Sequence, residues 1–118
     1  MSYWGDEPYQ SDFASGSLGA VVFLTKKRLN TDIQAILKDT GHPEQSIVVL
    51  LELLRTIGER YPKGLSVHFR RKQFDEAKGA FYQWYEKCSR RIPAKHREGV
   101  LQSAEAEFQL WEERIFAE

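Results

Sequence analysis

Two stretches in the second half of the chain repeat apolar residues at intervals of three and four. The first holds Phe74, Ala77, Phe81, Trp84 or Tyr85, and Cys88, and the second holds Leu101, Ala104, Phe108, Trp111 and Ile115. This spacing places apolar side chains on one face of an α-helix. Ile92-Pro93 separates the two stretches, and proline is tolerated at a helix start but not in its interior. The pattern therefore predicts two packed helices, the second beginning at Pro93.

Weaker signals in the first half predict further helices. Ser11 is a suitable N-cap for a helix that ends near residues 26–28, where three cations suit a helix C-terminus. We favour a helix through the short apolar run at residues 18–24, and a buried strand is the alternative that stays open. A second short helix is predicted to begin at residues 30–31 and to stop at Gly41.

A third helix is predicted with Pro43 in its first position and Glu44 in its first turn. Its apolar residues are Ile47, Leu50, Leu51, Leu54 and Ile57. The helix is predicted to end at Gly58, with a turn at residues 61–64. Together these patterns predict an all-α fold, a compact helical bundle of about four to five helices. We expect one domain over residues 1–118, with residues 1–11 as an irregular arm packed on the bundle.

Composition supports a folded domain outside the membrane. The chain has 118 residues, of which 42% are hydrophobic, enough for a core without disulfides. Cys88 is the single cysteine, which favours a reducing compartment. The first residues show no secretory signal pattern, and the longest apolar runs fall short of the roughly 20 residues that a membrane span needs. We expect a cytoplasmic protein that makes no contact with a membrane.

The formal net charge of zero conceals an uneven distribution. Residues 61–97 carry ten bases and three acids, whereas residues 98–118 carry six acids and one base. The basic block, with Tyr82, Trp84 and Tyr85, could bind nucleic acid by phosphate contacts and base stacking. Aromatic residues at helical spacing are more often part of a core, and overall neutrality is not typical of a nucleic-acid binder. We therefore expect no nucleic-acid partner.

The sequence offers few candidates for catalysis. His42, His68 and His96 fall in different predicted elements, so we expect no metal or other cofactor. Arg91 and His96 form an R-x4-H pattern that resembles the motif of the all-α nucleases of the higher-eukaryote and prokaryote nucleotide-binding class. In those nucleases the two residues lie on a helix and cleave RNA. Pro93 lies inside the pattern here and should start a new helix, so a basic corner between helices is the favoured interpretation and a ribonuclease the alternative.

Acidic residues line the last predicted helix and form the candidate binding site. The candidate residues are Glu98, Glu105, Glu107, Glu112 and Glu113, with Asp6, Glu7 and Asp12 as a second patch. Three of the helical acids are spaced by seven and so share one side of the helix. They either pair with basic residues of the preceding helix, such as Lys87 or Arg90, or form a surface complementary to a basic protein.

The N-terminal residues resemble a known protein family. Trp4-Gly5-x-x-Pro8-Tyr9-x-Ser11-Asp12-x-Ala14 is similar to the opening W-G-x-x-P-F-x-N-D-x-A of small bacterial immunity-type proteins, with Tyr and Ser in place of Phe and Asn. These proteins are associated with polymorphic toxin and contact-dependent inhibition loci. The resemblance implies a non-enzymatic protein that binds and neutralises a cognate toxin domain. The apolar seam of the last helix either completes the core or forms a homodimer interface.

Overall fold

The chain forms a bundle of helices in the computed structural model, which describes residues 5–6, 11–38 and 46–117. Within these ranges there are five α-helices and no strand. They are α1 (Asp12–Leu37), α2 (Ser46–Arg60), α3 (Pro62–Ser66), α4 (Arg71–Cys88) and α5 (Ala94–Arg114), with a 3-10 turn at Ser89–Arg91 between α4 and α5. The predicted all-α bundle of four to five helices is therefore confirmed.

The first helix begins as predicted but is much longer. Ser11 caps α1, because its Oγ accepts a hydrogen bond of 3.1 Å from the Ala14 amide. The segment at residues 18–24 is helical, so the strand alternative is wrong. The predicted break near residues 26–31 is also wrong, since α1 runs for 26 residues.

The continuity of α1 has a physical reason. Val22, Leu29, Ile33 and Ile36 are buried on one face, so the apolar stripe passes through the predicted break without interruption. Thr31 does not act as a cap, because its hydroxyl donates to the Lys27 carbonyl one turn earlier, at 3.1 Å. Burial of the stripe outweighs the weak local signals for a helix end.

The helix α2 corresponds to the third predicted helix and ends later than predicted. Gly41, Pro43 and Glu44, which define the predicted end of one helix and start of the next, lie outside the described residues. α2 passes through Gly58 and continues to Arg60. An added Cβ at Gly58 would collide with Leu65 and lie 3.1 Å from Ile115 Cδ1, so glycine allows α3 and the end of α5 to approach α2. The predicted turn at residues 61–64 is the start of the short helix α3, with Pro62 in its first position.

The two strongest sequence patterns form the centre of the core. All five stripe positions of α4 are buried, with Trp84 rather than Tyr85 facing inward. Phe108 of α5 packs against Phe74 and Phe81 of α4, at ring-centroid distances of 6.1 and 5.7 Å. The seam of α5 therefore completes the core of this chain.

A tight corner reverses the chain between α4 and α5. Pro93 immediately precedes α5, as predicted. The Arg97 guanidinium reaches back over the corner, where Nε donates to the Ser89 carbonyl at 2.8 Å and Nη2 donates to the Ile92 carbonyl at 3.0 Å. Tyr85 Oη donates to the Arg97 carbonyl at 3.1 Å. The Ser89 carbonyl, which also accepts from the Ile92 amide at 3.0 Å, thus has two donors, and these bonds tie the corner to both helices.

Candidate functional site

The five candidate acids of α5 differ in what lies opposite them, although Glu98, Glu105 and Glu112 share one side of the helix. Glu98, Glu105 and Glu113 face outward and are exposed, and we call these three residues the acidic stripe. Glu107 and Glu112 are turned toward neighbouring helices, where each meets an arginine. The candidate site therefore separates into an inner and an outer set, which differ in what lies opposite them.

Glu107 is not part of an exposed surface, which corrects the predicted acidic face. The residue is only 6% exposed and follows Ala104 by three positions, so it lies at the edge of the buried side of α5. Arg55 of α2 is 9% exposed and donates to it twice, from Nε to Oε2 at 2.6 Å and from Nη2 to Oε1 at 3.1 Å. Buried charges of this kind are retained when they are paired and hydrogen-bonded.

The buried pair extends into a chain of charges at the α2–α5 interface. Arg55 Nη1 also donates to Glu59 at 3.2 Å, and Arg114 Nη1 donates to the other oxygen of Glu59 at 3.0 Å. The hydrogen bond with Glu107 raises the pKa of Arg55, despite the opposing effect of burial. The hydrogen bond from Arg114 lowers the pKa of Glu59. The network joins α2 to α5 with alternating charges.

Glu112 pairs with the preceding helix, but not with the residues expected. Arg71 donates to both carboxylate oxygens, at 2.8 and 2.7 Å. This hydrogen bonding lowers the pKa of Glu112 and raises that of Arg71. The sequence suggests Lys87 or Arg90 as partners of the acids on α5. Lys87 lies in the last turn of α4, and Arg90 lies in the 3-10 turn that follows it. Because α5 runs back along α4, the end of α5 lies beside the start of α4.

Among the described residues, the acidic stripe has neutral hydrogen-bond partners only. Gln102 donates to Glu98 at 3.3 Å and Gln109 donates to Glu113 at 3.0 Å, both along the helix. Tyr82 Oη of α4 donates to Glu105 at 2.9 Å. Burial raises the pKa of Tyr82, and this hydrogen bond raises it further by a smaller amount. No lysine or arginine of the described chain forms an ion pair with any of the three carboxylates.

The second predicted patch is mostly beyond what the structure describes. Asp6 is exposed, whereas Glu7 and the side chain of Asp12 lie outside the described residues. The patch stays a prediction, and the candidate binding site consists of the acidic stripe alone.

The R-x4-H pattern is divided by the corner between helices. Arg91 lies in the 3-10 turn and His96 in the first turn of α5, with Pro93 between them. The two residues therefore do not share the single helix on which the nuclease motif lies. His42 is outside the described residues. Among residues that are described, no three His, Cys, Asp or Glu side chains form a group that could hold a metal ion.

The aromatic residues of the basic block belong to the core. Trp84 is buried, and Tyr82 and Tyr85 are half-buried with their hydroxyls bonded to Glu105 and to the Arg97 carbonyl. All three rings therefore pack in or against the core, as the core interpretation predicts. In the part of the chain that the structure covers, no helix is long and apolar enough to cross a membrane.

Sequence reasoning missed the partners of the inner acids. A signal for one was present, since Arg55 follows Leu51 by four positions and so lies on the apolar face of α2. A cation on one apolar face and an anion at the edge of another indicate a buried pair.

No family model, curated protein or solved structure matches this chain, so the resemblance of its N-terminal residues stays a prediction.

Proposed function

We propose that this protein is a bacterial immunity protein that binds a cognate toxin domain and occludes its active site. The observation that carries the proposal is the acidic stripe, three exposed carboxylates on one helix that form no ion pair with any residue the structure describes. A nuclease toxin has a basic substrate cleft, where such carboxylates would take the place of nucleic-acid phosphates. The N-terminal resemblance to immunity-type proteins supports the same function. Inhibition by binding requires no catalytic group and would take place in the cytoplasm, where such a toxin acts.

The dimensions of the acidic stripe suit a protein partner. Glu98 and Glu113 are fifteen residues apart, which corresponds to about 22 Å along the axis of an α-helix. A patch of this length fits within a standard interface of about 800 Å² per partner. Gln102 and Gln109 lie between the carboxylates, so the face offers hydrogen-bonding groups along its whole length. Recognition by this face would be mainly electrostatic, which affects association rate and specificity most.

The inner acids support stability in this proposal rather than recognition. Glu107 and Glu112 already have arginine partners, and taking them into an interface would require those pairs to break. We therefore assign toxin binding to Glu98, Glu105 and Glu113. The remaining exposed acids serve as internal controls.

The test is the double charge reversal Glu105→Lys with Glu113→Lys. The proposal implies that a neighbouring gene encodes a toxin domain, which is the partner to test, and association is followed by surface-based kinetics at low and physiological salt. We expect the association rate to fall about tenfold or more at low salt, since complementary charge can accelerate encounter by orders of magnitude. Protection of bacterial growth against the co-expressed toxin domain should fall with it.

The matched control is Glu76→Lys with Glu86→Lys, which makes the same charge change at exposed positions of α4. This variant should associate much faster than the stripe variant and should still protect growth. Circular dichroism checks that both variants stay helical. Equal association rates for the two variants would contradict the proposed surface. RNA cleavage by the purified protein that is abolished by His96→Ala would overturn the proposed function in favour of a ribonuclease.

A further inference from the structure

A cavity of about 890 Å³ lies where the ends of α2 and α5 meet α3 and the start of α4. Its lining consists of Gly58, Glu59, Pro62, Lys63, Leu65, Ser66, Phe69, Arg70, Arg71, Arg114, Ile115 and Phe116. This volume is within the range of about 300–1,000 Å³ that small-molecule sites occupy. The acidic stripe contributes no residue to the lining, so the cavity is a separate feature.

One part of the lining is apolar and firmly supported. Leu65 and Phe69 are buried, and Ile115 and Phe116 are half-buried against the core. Trp111 packs against Phe69 and Phe116, at ring-centroid distances of 5.2 and 5.6 Å. The aromatic side chains that bound the cavity are therefore held in position by the core, and they offer an apolar surface to a ligand.

The other part of the lining is cationic and only partly neutralised. Arg71 is paired with Glu112, and Arg114 is paired with Glu59, the one acid among the described lining residues. Lys63 and Arg70 form no ion pair with any described residue, and the Arg70 Nε donates a long hydrogen bond of 3.4 Å to the Ser66 carbonyl. The cavity thus has two cations whose charge no described residue of its lining balances.

We propose that this cavity binds a small amphipathic anion, with its acidic head at Lys63 and Arg70 and its apolar body against Ile115 and Phe116. The head would be a carboxylate, sulfonate or phosphate, since ammonium and guanidinium groups donate strong charge-assisted hydrogen bonds to such oxygens. The body would be an alkyl chain or an aromatic system, because it displaces water from apolar side chains. Neither part alone uses the whole site.

The experiment compares three probes that divide these contributions. Anilinonaphthalene sulfonate carries both parts, N-phenylnaphthylamine carries the apolar body alone, and inorganic phosphate carries the charge alone. We expect the sulfonate to bind with one-to-one stoichiometry and about tenfold or more tighter than the neutral amine, since one charge-assisted bond is worth about that factor. Dodecanoate should displace the sulfonate, and equimolar phosphate should not.

Two double variants locate the head group. Lys63→Gln with Arg70→Gln removes the two unbalanced cations, and Lys87→Gln with Arg90→Gln removes two exposed cations at the far end of α4. The first should weaken sulfonate binding about tenfold or more while leaving the neutral amine unchanged, and the second should change neither. Ser66→Trp, which adds bulk at an exposed lining position, should weaken both fluorescent probes.

The proposal is overturned if the two double variants bind the sulfonate equally, or if the neutral amine binds as tightly as the sulfonate. Binding of several sulfonates per chain, or sulfonate binding that Ser66→Trp leaves intact, would also overturn it. Thermal unfolding of each variant shows that the fold is retained. Because toxin binding is measured on the acidic stripe and probe binding on the cavity, either proposal can fail without the other.

Discussion

Two sets of glutamates on α5 are used differently. In the inner set, Glu107 and Glu112 pair with arginines of α2 and α4 and join the helices together. In the outer set, Glu98, Glu105 and Glu113 have amide or hydroxyl partners and, among the described residues, no cation. The role of a carboxylate on this helix therefore depends on the element opposite it, and an acidic count for the helix alone does not reveal it.

Glu107→Ala should have the largest effect on stability among changes to the inner set. The change leaves the Arg55 guanidinium buried with Glu59 as its remaining partner, and breaking one side of a buried pair costs about 3–5 kcal/mol. We expect a loss of unfolding free energy of about 3 kcal/mol, near the lower end of that range. Urea unfolding followed by circular dichroism measures it. The same comparison predicts no measurable loss of unfolding free energy for Glu98→Ala in the outer set.

A double substitution separates charge burial from packing. Arg55→Met with Glu107→Leu removes both charges and keeps apolar volume, which is often neutral for a buried pair. We expect this variant to be more stable than Glu107→Ala. If it were less stable, the contribution of the pair would lie in its net attraction rather than in avoiding an unpaired buried charge.

The glycines of α2 and α5 extend the comparison to packing. Gly58→Ala places a methyl group against Leu65 and Ile115, and overpacking costs about 1–3 kcal/mol, partly offset by a helix-propensity gain of about 1 kcal/mol. Gly99→Ala on α5 meets nothing within 4 Å and should gain stability through propensity alone. Thermal unfolding should therefore shift the two melting temperatures in opposite directions. A rise for Gly58→Ala would show that α3 adjusts easily.

The smallest expected effect is the pH dependence of the stability that the Arg71–Glu112 pair contributes. The pKa of Glu112 is lower in the folded than in the unfolded chain because Arg71 donates to it, so its contribution is present above the ordinary glutamate pKa of about 4.3. That contribution is lost as the pH falls below this value and the carboxylate is protonated. Glu112→Gln should reduce stability slightly at pH 7 and make no difference at pH 2, in a series of urea unfolding curves. Glu98→Gln, which breaks no ion pair, should follow the wild-type curve throughout.

The sequence predicted the parts of the fold that depend on strong periodicity. The stripe from Phe74 to Cys88 and the seam from Ala104 to Trp111 are buried as their spacing indicates, and Pro93 marks the start of α5. The unbroken length of α1 was not predicted, because three cations and Thr31 imitate a helix end. Only the packing of Leu29 and Ile33 against the core shows that the helix continues.

The site was predictable only in outline. Spacing correctly placed Glu98, Glu105 and Glu112 near one another, but it could not show that Arg71 lies beside Glu112. That contact depends on the antiparallel return of α5 along α4, a tertiary feature. The cavity at Lys63 and Arg70 had no sequence signal at all, since its lining comes from four separate helices and the residues that flank them.

The corner held by Arg97 has a consequence for the thermodynamics of binding. Its guanidinium bonds to Ser89 and Ile92 fix the direction in which α5 leaves α4, so the acidic stripe keeps a constant position relative to α4 before a partner binds. A surface ordered in advance loses little conformational entropy when it binds, and more of the interaction energy then appears as affinity. A partner should therefore meet a rigid template on which successive charges such as Glu98 and Glu105 stand about 10 Å apart along the helix axis.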